Sequence, residues 1–127
     1  MRELVTRYLA DCPEVIPDLA RCFEAEWPSW YGPGGPGDAR ADLVRYASRA
    51  ALPVGIVGFL GDEVVGFAAL KAESISARAD LGPWVAAGFV KREHRRRGYG
   101  ARLLNAVEGV ARGLGYQRIY CGTATAA

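Results

Sequence analysis

The stretch "PWVAAGFV", Pro83 to Val90, is apolar almost throughout, and it runs through "KREHRRRG" straight into a helical pattern. A strand apolar on both faces is one that is covered on both faces. Beyond it, Leu103, Val107, Val110, Ala111 and Leu114 recur at helical spacing, Gly115 is a helix stop, and "RIYCG" reads as a short last strand. Strand, loop, helix and strand make a βαβ unit. Its two strands, Trp84–Val90 and Arg118–Cys121, should be parallel with a right-handed crossover. That unit excludes an all-helical chain and a purely antiparallel sheet.

The residues upstream add antiparallel strands and helices. Glu3 to Leu9 alternate loosely as a first strand. Asp11 stands three residues before Glu14, the spacing of a capping box. Ile16, Leu19, Ala20, Phe23 and Trp27 then follow a helical period, with Pro17 tolerable only near the first turn. "EWPSWYGPGGPGD", Glu26 to Asp38, reads as a loop whose Trp27, Trp30 and Tyr31 either cover the core edge or wrap a substrate. Asp38 can cap a second helix with Ala39, Leu43, Tyr46, Ala47 and Ala50 on one face. "PVGIVGFLGDEVVGFAALKAE" reads as a hairpin, Val54–Leu60 and Val64–Lys71, turning at Gly61-Asp62. With 127 residues and no internal repeat, residues 1–127 form a single domain with one core.

Charge is uneven. The chain carries a net +2, too little for a nucleic-acid binder as a whole. Lys91, Arg92, Arg95, Arg96, Arg97 and Arg102, however, face only Glu93, a local +5 that leaves −3 on the remainder. A basic spot on an otherwise acidic chain points to an anionic partner at that spot. Three cysteines without C-x-x-C spacing and a single histidine argue against a metal site and for free thiols in a reducing, cytoplasmic compartment. No apolar signal core opens the chain and no run approaches ~18 apolar residues, so neither secretion nor a membrane span is expected.

The basic spot lies between a buried strand and a helix start. The first helical amides lack intrahelical acceptors and the dipole is positive there, so phosphate oxygens fit. Gly98 and Gly100 let backbone approach a ligand closely. Neither G-x-x-x-x-G-K-[ST] nor G-x-G-x-x-G is present, which excludes the common nucleotide loops. An RNA patch, with Tyr99 stacking on a base, is disfavoured by the confinement of charge to one loop and by the lack of an aromatic RNA-binding strand.

What remains, "RRRGYG" after an apolar strand, resembles the R/Q-x-x-G-x-G/A loop of the GNAT superfamily of acetyl-CoA-dependent N-acetyltransferases. Val90 and "KREH" before Arg95 match as well, and the order of elements agrees up to "RIYCG". The resemblance implies an α/β (α+β) fold: a mixed, mostly antiparallel sheet flanked by helices, with the parallel βαβ unit at the cofactor loop. It implies acetyl-CoA as cofactor, with Arg95, Arg96, Arg97, Gly98, Tyr99, Gly100 and Ala101 around its pyrophosphate. Phe89 and Val90 would pair with the pantetheine arm, beside a strand bulge for which Gly88 is the candidate.

The implied chemistry is direct attack of an amine on the thioester, with backbone N–H groups holding the oxyanion and a carboxylate or water chain accepting the proton. Glu26 and Glu73 are the candidate bases, and Trp27, Trp30 and Tyr31 the candidate acceptor contacts. Cys121 reads as a small strand residue rather than an acetyl carrier. The acceptor is a small-molecule or peptide amine, with no nucleic acid and no membrane as partner. Two departures stand out. Arg96 takes the place of a frequent second glycine, and the chain stops at "RIYCGTATAA", where the family usually continues. The short end leads to two expectations, a homodimer pairing through the last strand and weak or absent turnover; a coenzyme A-binding domain without catalysis is the alternative.

Overall fold

The computed structural model describes residues 3–72 and 83–121. One sheet runs β1 (Val5–Tyr8), β2 (Val54–Leu60), β3 (Glu63–Lys71), β4 (Trp84–Val90) and β5 (Tyr120–Cys121), in that spatial order. The first four strands are antiparallel to their neighbours, and β5 is parallel to β4, as the βαβ pattern requires. Four helices complete the described chain: α1 (Ile16–Glu26), α2 (Pro28–Tyr31), α3 (Ala39–Tyr46) and α4 (Tyr99–Gly113).

Every residue of β2 is buried, because both faces of the sheet are covered. Side chains alternate between two cores. Val57, Phe59 and Phe67 join Leu19, Phe23 and Leu43 of α1 and α3. Ile56, Leu60, Val65 and Ala68 join Leu103 and Val107 of α4 on the other face. A Cβ on Gly66 would lie 2.8 Å from Phe89 O and 2.9 Å from Leu103 Cδ1, so this glycine admits α4 against the sheet.

Four expectations change. Asp11 and Glu14 form no capping box: two short 3₁₀ turns occupy Leu9–Asp11 and Pro13–Val15, and α1 begins without a side-chain cap, with Pro17 in its first turn. Proline fits there because that N–H has no intrahelical acceptor. Glu26–Asp38 is not all loop, since Pro28 starts a single turn of helix. The helix capped by Asp38, whose carboxylate accepts from Ala41 N at 3.1 Å, ends at Tyr46 and leaves Ala47 and Ala50 outside it. The strand irregularity falls where expected, with Ala87 and Gly88 both facing Ala68, but the left-handed residue is Ala87, at φ +54°, and not Gly88. Cys12 is buried and without a disulfide, and Cys22 is also free.

Candidate active site

β4 forms the axis of the site. Its outer edge meets β5 at Trp84–Tyr120 and Val85–Cys121, where the described residues of β5 end. The bulge at Ala87–Gly88 follows two residues further along β4. Two grooves open on either side of it.

The first groove, about 460 Å³, is lined by Gly88, Phe89 and Val90, by His94, Arg95, Arg96 and Gly98 to Gly100 of the turn, with Leu103 and Leu104 below. Gly98 precedes α4 with φ +81°, and the first helical bond is Arg102 N to Gly98 O at 3.2 Å. The amides of Tyr99, Gly100 and Ala101 therefore lie in the turn whose N–H groups have no intrahelical acceptor. An added Cβ on Gly98 or Gly100 would meet nothing within 4 Å, so their bareness leaves room for a ligand and not for the protein itself. Only Gly98 has positive φ; Gly100 is helical.

The arginines divide their work. Arg95 Nε donates to Val90 O at 2.7 Å, and its Nη2 donates to both oxygens of Glu26 at 2.8 and 3.1 Å. Its guanidinium thus ties the loop to the end of β4 and the end of α1. Of Val90's backbone, the carbonyl accepts from Arg95. Arg96, at φ +67°, lines the groove, whereas Arg97 and Ala101 do not. His94 Nε2 lies 3.0 Å from Glu63 Oε2, which holds the loop's approach to the β2–β3 turn.

The second groove, about 590 Å³, is lined by Trp27, Trp30, Tyr31, Tyr46 and Trp84, and on β4 by Val85, Ala86 and Ala87. The three candidate acceptor contacts, Trp27, Trp30 and Tyr31, are thus brought together. Trp27 and Tyr31 also pack on Phe23, each ring 5.3 Å from it, while Trp30 is 52% exposed. They cover the core edge and line a groove at once. Val85 lines both grooves.

The candidate bases fare differently. Glu26 lines neither groove and is held by Arg95, a position that does not suit a proton acceptor from a substrate amine. Glu73 lies outside the described residues. The sequence reading passed over Asp42, Arg45 and Lys71, which line the second groove. Tyr31 OH donates to Asp42 Oδ2 at 2.7 Å. Burial, then that hydrogen bond and the charge of Asp42, push the Tyr31 phenol well above its ordinary pKa. Burial and Asp42 push Tyr46 up to about 12. An acid in the first turn of a helix looks in sequence like a dipole partner, so nothing there signalled that Tyr31 would reach it.

The described residues thus present a mixed sheet with a bulged strand between two grooves, one of them at a helix start with free amides. The chain belongs to the acetyltransferase (GNAT) family, whose sequence profile matches residues 19–127. It is similar in structure to the aminoglycoside N-acetyltransferase AAC(6')-Iy in complex with CoA, at 20% identity and a TM-score of 0.72, over 95% of this chain and 77% of that one. It also resembles aminoglycoside 6'-acetyltransferase type Ii, at 19% identity and TM-score 0.71, over 92% and 70% of the two chains. A GCN5-related N-acetyltransferase from Ralstonia eutropha JMP134 matches at 18% identity and TM-score 0.67, over 94% and 82%. At such identities the likeness shows the fold. No curated protein matches the chain significantly. No helix among the described residues is long and apolar enough to cross a membrane.

Proposed function

We propose that the chain transfers the acetyl group of acetyl-CoA to the amine of a small molecule by direct attack. The observation that carries this is that two grooves flank the bulged part of β4 and share Val85 in their lining. The first groove suits the cofactor: the start of α4 offers amides to the diphosphate, Arg96 adds a cation, and Phe89, in the groove's lining, is placed for the pantetheine arm. The aromatic groove suits the acceptor. Its amine reaches the thioester carbon at the bulge, where backbone N–H groups can hold the oxyanion. The C–N bond forms, the C–S bond breaks, and the thiolate leaves.

The amine proton needs an acceptor. Glu73 and Glu26 are the carboxylate candidates, and of these Glu26 is held by Arg95. A water chain is the other route.

Calorimetric titration with acetyl-CoA and thiol release over an amine panel test this function. At a hundredfold excess over the dissociation constant, the cofactor should stabilise the fold by about 2.7 kcal/mol. Absence of binding would refute the cofactor assignment. Binding without turnover on any amine would favour a coenzyme A-binding domain without catalysis.

A further inference from the structure

Two neighbouring residues where α1 ends touch both grooves. Glu26 accepts from Arg95 Nη2 through both carboxylate oxygens, at 2.8 and 3.1 Å, and Arg95 lines the cofactor groove. Trp27 lines the acceptor groove, and its ring stands edge-on to Phe89 of the cofactor groove, with centroids 5.9 Å apart. The Trp27 carbonyl accepts from Trp30 N at 3.1 Å and from Tyr31 N at 2.8 Å, which closes the single turn of α2. That turn has no side-chain cap, and it presents Trp30 and Tyr31 to the acceptor groove. A continuous path therefore leads from the loop before α4, through Glu26 and Trp27, to the aromatic wall of the acceptor groove. A separate tie of the same turn, Tyr31 OH on Asp42 Oδ2, does not pass through the loop.

Resting on the reading of the two grooves as cofactor and acceptor sites, we propose that Glu26 is a positioning residue: through it, filling the cofactor groove orders the acceptor wall, and the two ligands bind with positive cooperativity. The physical basis is conformational entropy. A one-turn helix is held by few bonds and opens readily. A diphosphate on the loop restricts the loop, Arg95 with it, and through the ion pair the junction of α1 and α2. The turn is then already ordered when the acceptor arrives, so the acceptor loses less conformational freedom on binding. Linkage makes the effect mutual, since the acceptor tightens the cofactor by the same factor. The ion pair is partly exposed, so removing it loosens this link and leaves the core in place.

The test is amide hydrogen exchange read by NMR on the full chain, without and with saturating coenzyme A, saturation being set for each variant by calorimetry. In the wild type, coenzyme A should slow exchange at Trp30 and Tyr31 about fivefold, the low end of ordinary coupling between sites. In Glu26→Ala, at its own saturating concentration, the slowing should fall below about twofold. Tyr31→Phe removes the tie to Asp42, so exchange in the free chain should speed up, yet coenzyme A should still slow it about fivefold. A role confined to fold stability would shift free and loaded chains alike and leave their ratio as it was. Equal slowing in the wild type and Glu26→Ala, or no slowing in either although coenzyme A binds, would overturn the inference. Failure of coenzyme A to bind at all would overturn the cofactor reading and this inference with it. Slowing without thiol release on any amine would uphold the coupling and count against acetyl transfer.

Discussion

Arg95 Nη2 donates to Glu26 Oε1 at 2.8 Å, joining the loop before α4 to the last residue of α1 across 69 positions of sequence. The same guanidinium caps Val90 O. The loop's most family-like arginine is thus a brace that sets the loop against the end of β4, and its neighbour Arg96 is left to face the groove.

Glu26→Gln should keep kcat within about threefold, because an essential general base is worth roughly 10²–10⁴ in rate. Loss of the brace should instead raise KM for acetyl-CoA and cost up to about 1 kcal/mol, as expected of a partly exposed ion pair. Steady-state kinetics and chemical denaturation separate the two outcomes. A hundredfold fall in kcat at unchanged KM would restore Glu26 as the base.

Gly98→Val and Gly100→Val should fail in different ways. At Gly98 the φ of +81° strains any residue with a Cβ, costing about 1–2 kcal/mol of stability before any ligand is considered. At Gly100, helical and with nothing within 4 Å of an added Cβ, stability should hold or rise slightly. Affinity for the cofactor should nevertheless fall at least tenfold, since the side chain fills the space the ligand needs. Wild-type binding by Gly100→Val would show that the ligand does not approach that backbone.

Stability should be lost at alkaline pH. The Tyr46 phenol is raised to about 12 in the folded chain from its ordinary value of 10.0. Its contribution is therefore complete below pH 10 and is lost as pH rises toward 12, because the unfolded chain releases the proton first. The raised Tyr31 phenol acts in the same direction. Tyr46→Phe should flatten the fall between pH 10 and 12 in urea denaturation. An unchanged slope would mean that Tyr46 ionises as freely folded as unfolded.

Tyr31→Phe removes the donor to Asp42 Oδ2 and should cost about 1 kcal/mol, the net worth of an ordinary hydrogen bond. It should also leave Asp42 with spare acceptor capacity in the acceptor groove. Amines without an anionic group should then gain affinity relative to those that carry one, as read by calorimetry. No change in that ratio would mean that Asp42 does not face the bound amine.

Local periodicity was enough for the βαβ unit, the hairpin at Val54–Lys71, Asp38 as a cap and Gly115 as a stop, because each depends on a few neighbouring residues. The phosphate-ready loop was legible for the same reason: strand, glycine and helix start are adjacent in sequence. The missed capping box at Asp11 shows the limit of such local signals, since the chain there turns to enter α1 under tertiary constraint. Which arginine braces and which faces a ligand was not legible, because it depends on Glu26, far away in the chain. Nor was the bulge's left-handed residue, which falls on Ala87 although glycine stands next to it. The acceptor groove belongs wholly to tertiary structure. Its aromatic wall comes from the junction of α1 and α2, from α2, α3 and β4, and its Lys71 from the end of β3. Only the packing of those elements over β4 brings the charges of Asp42, Arg45 and Lys71 into one balance.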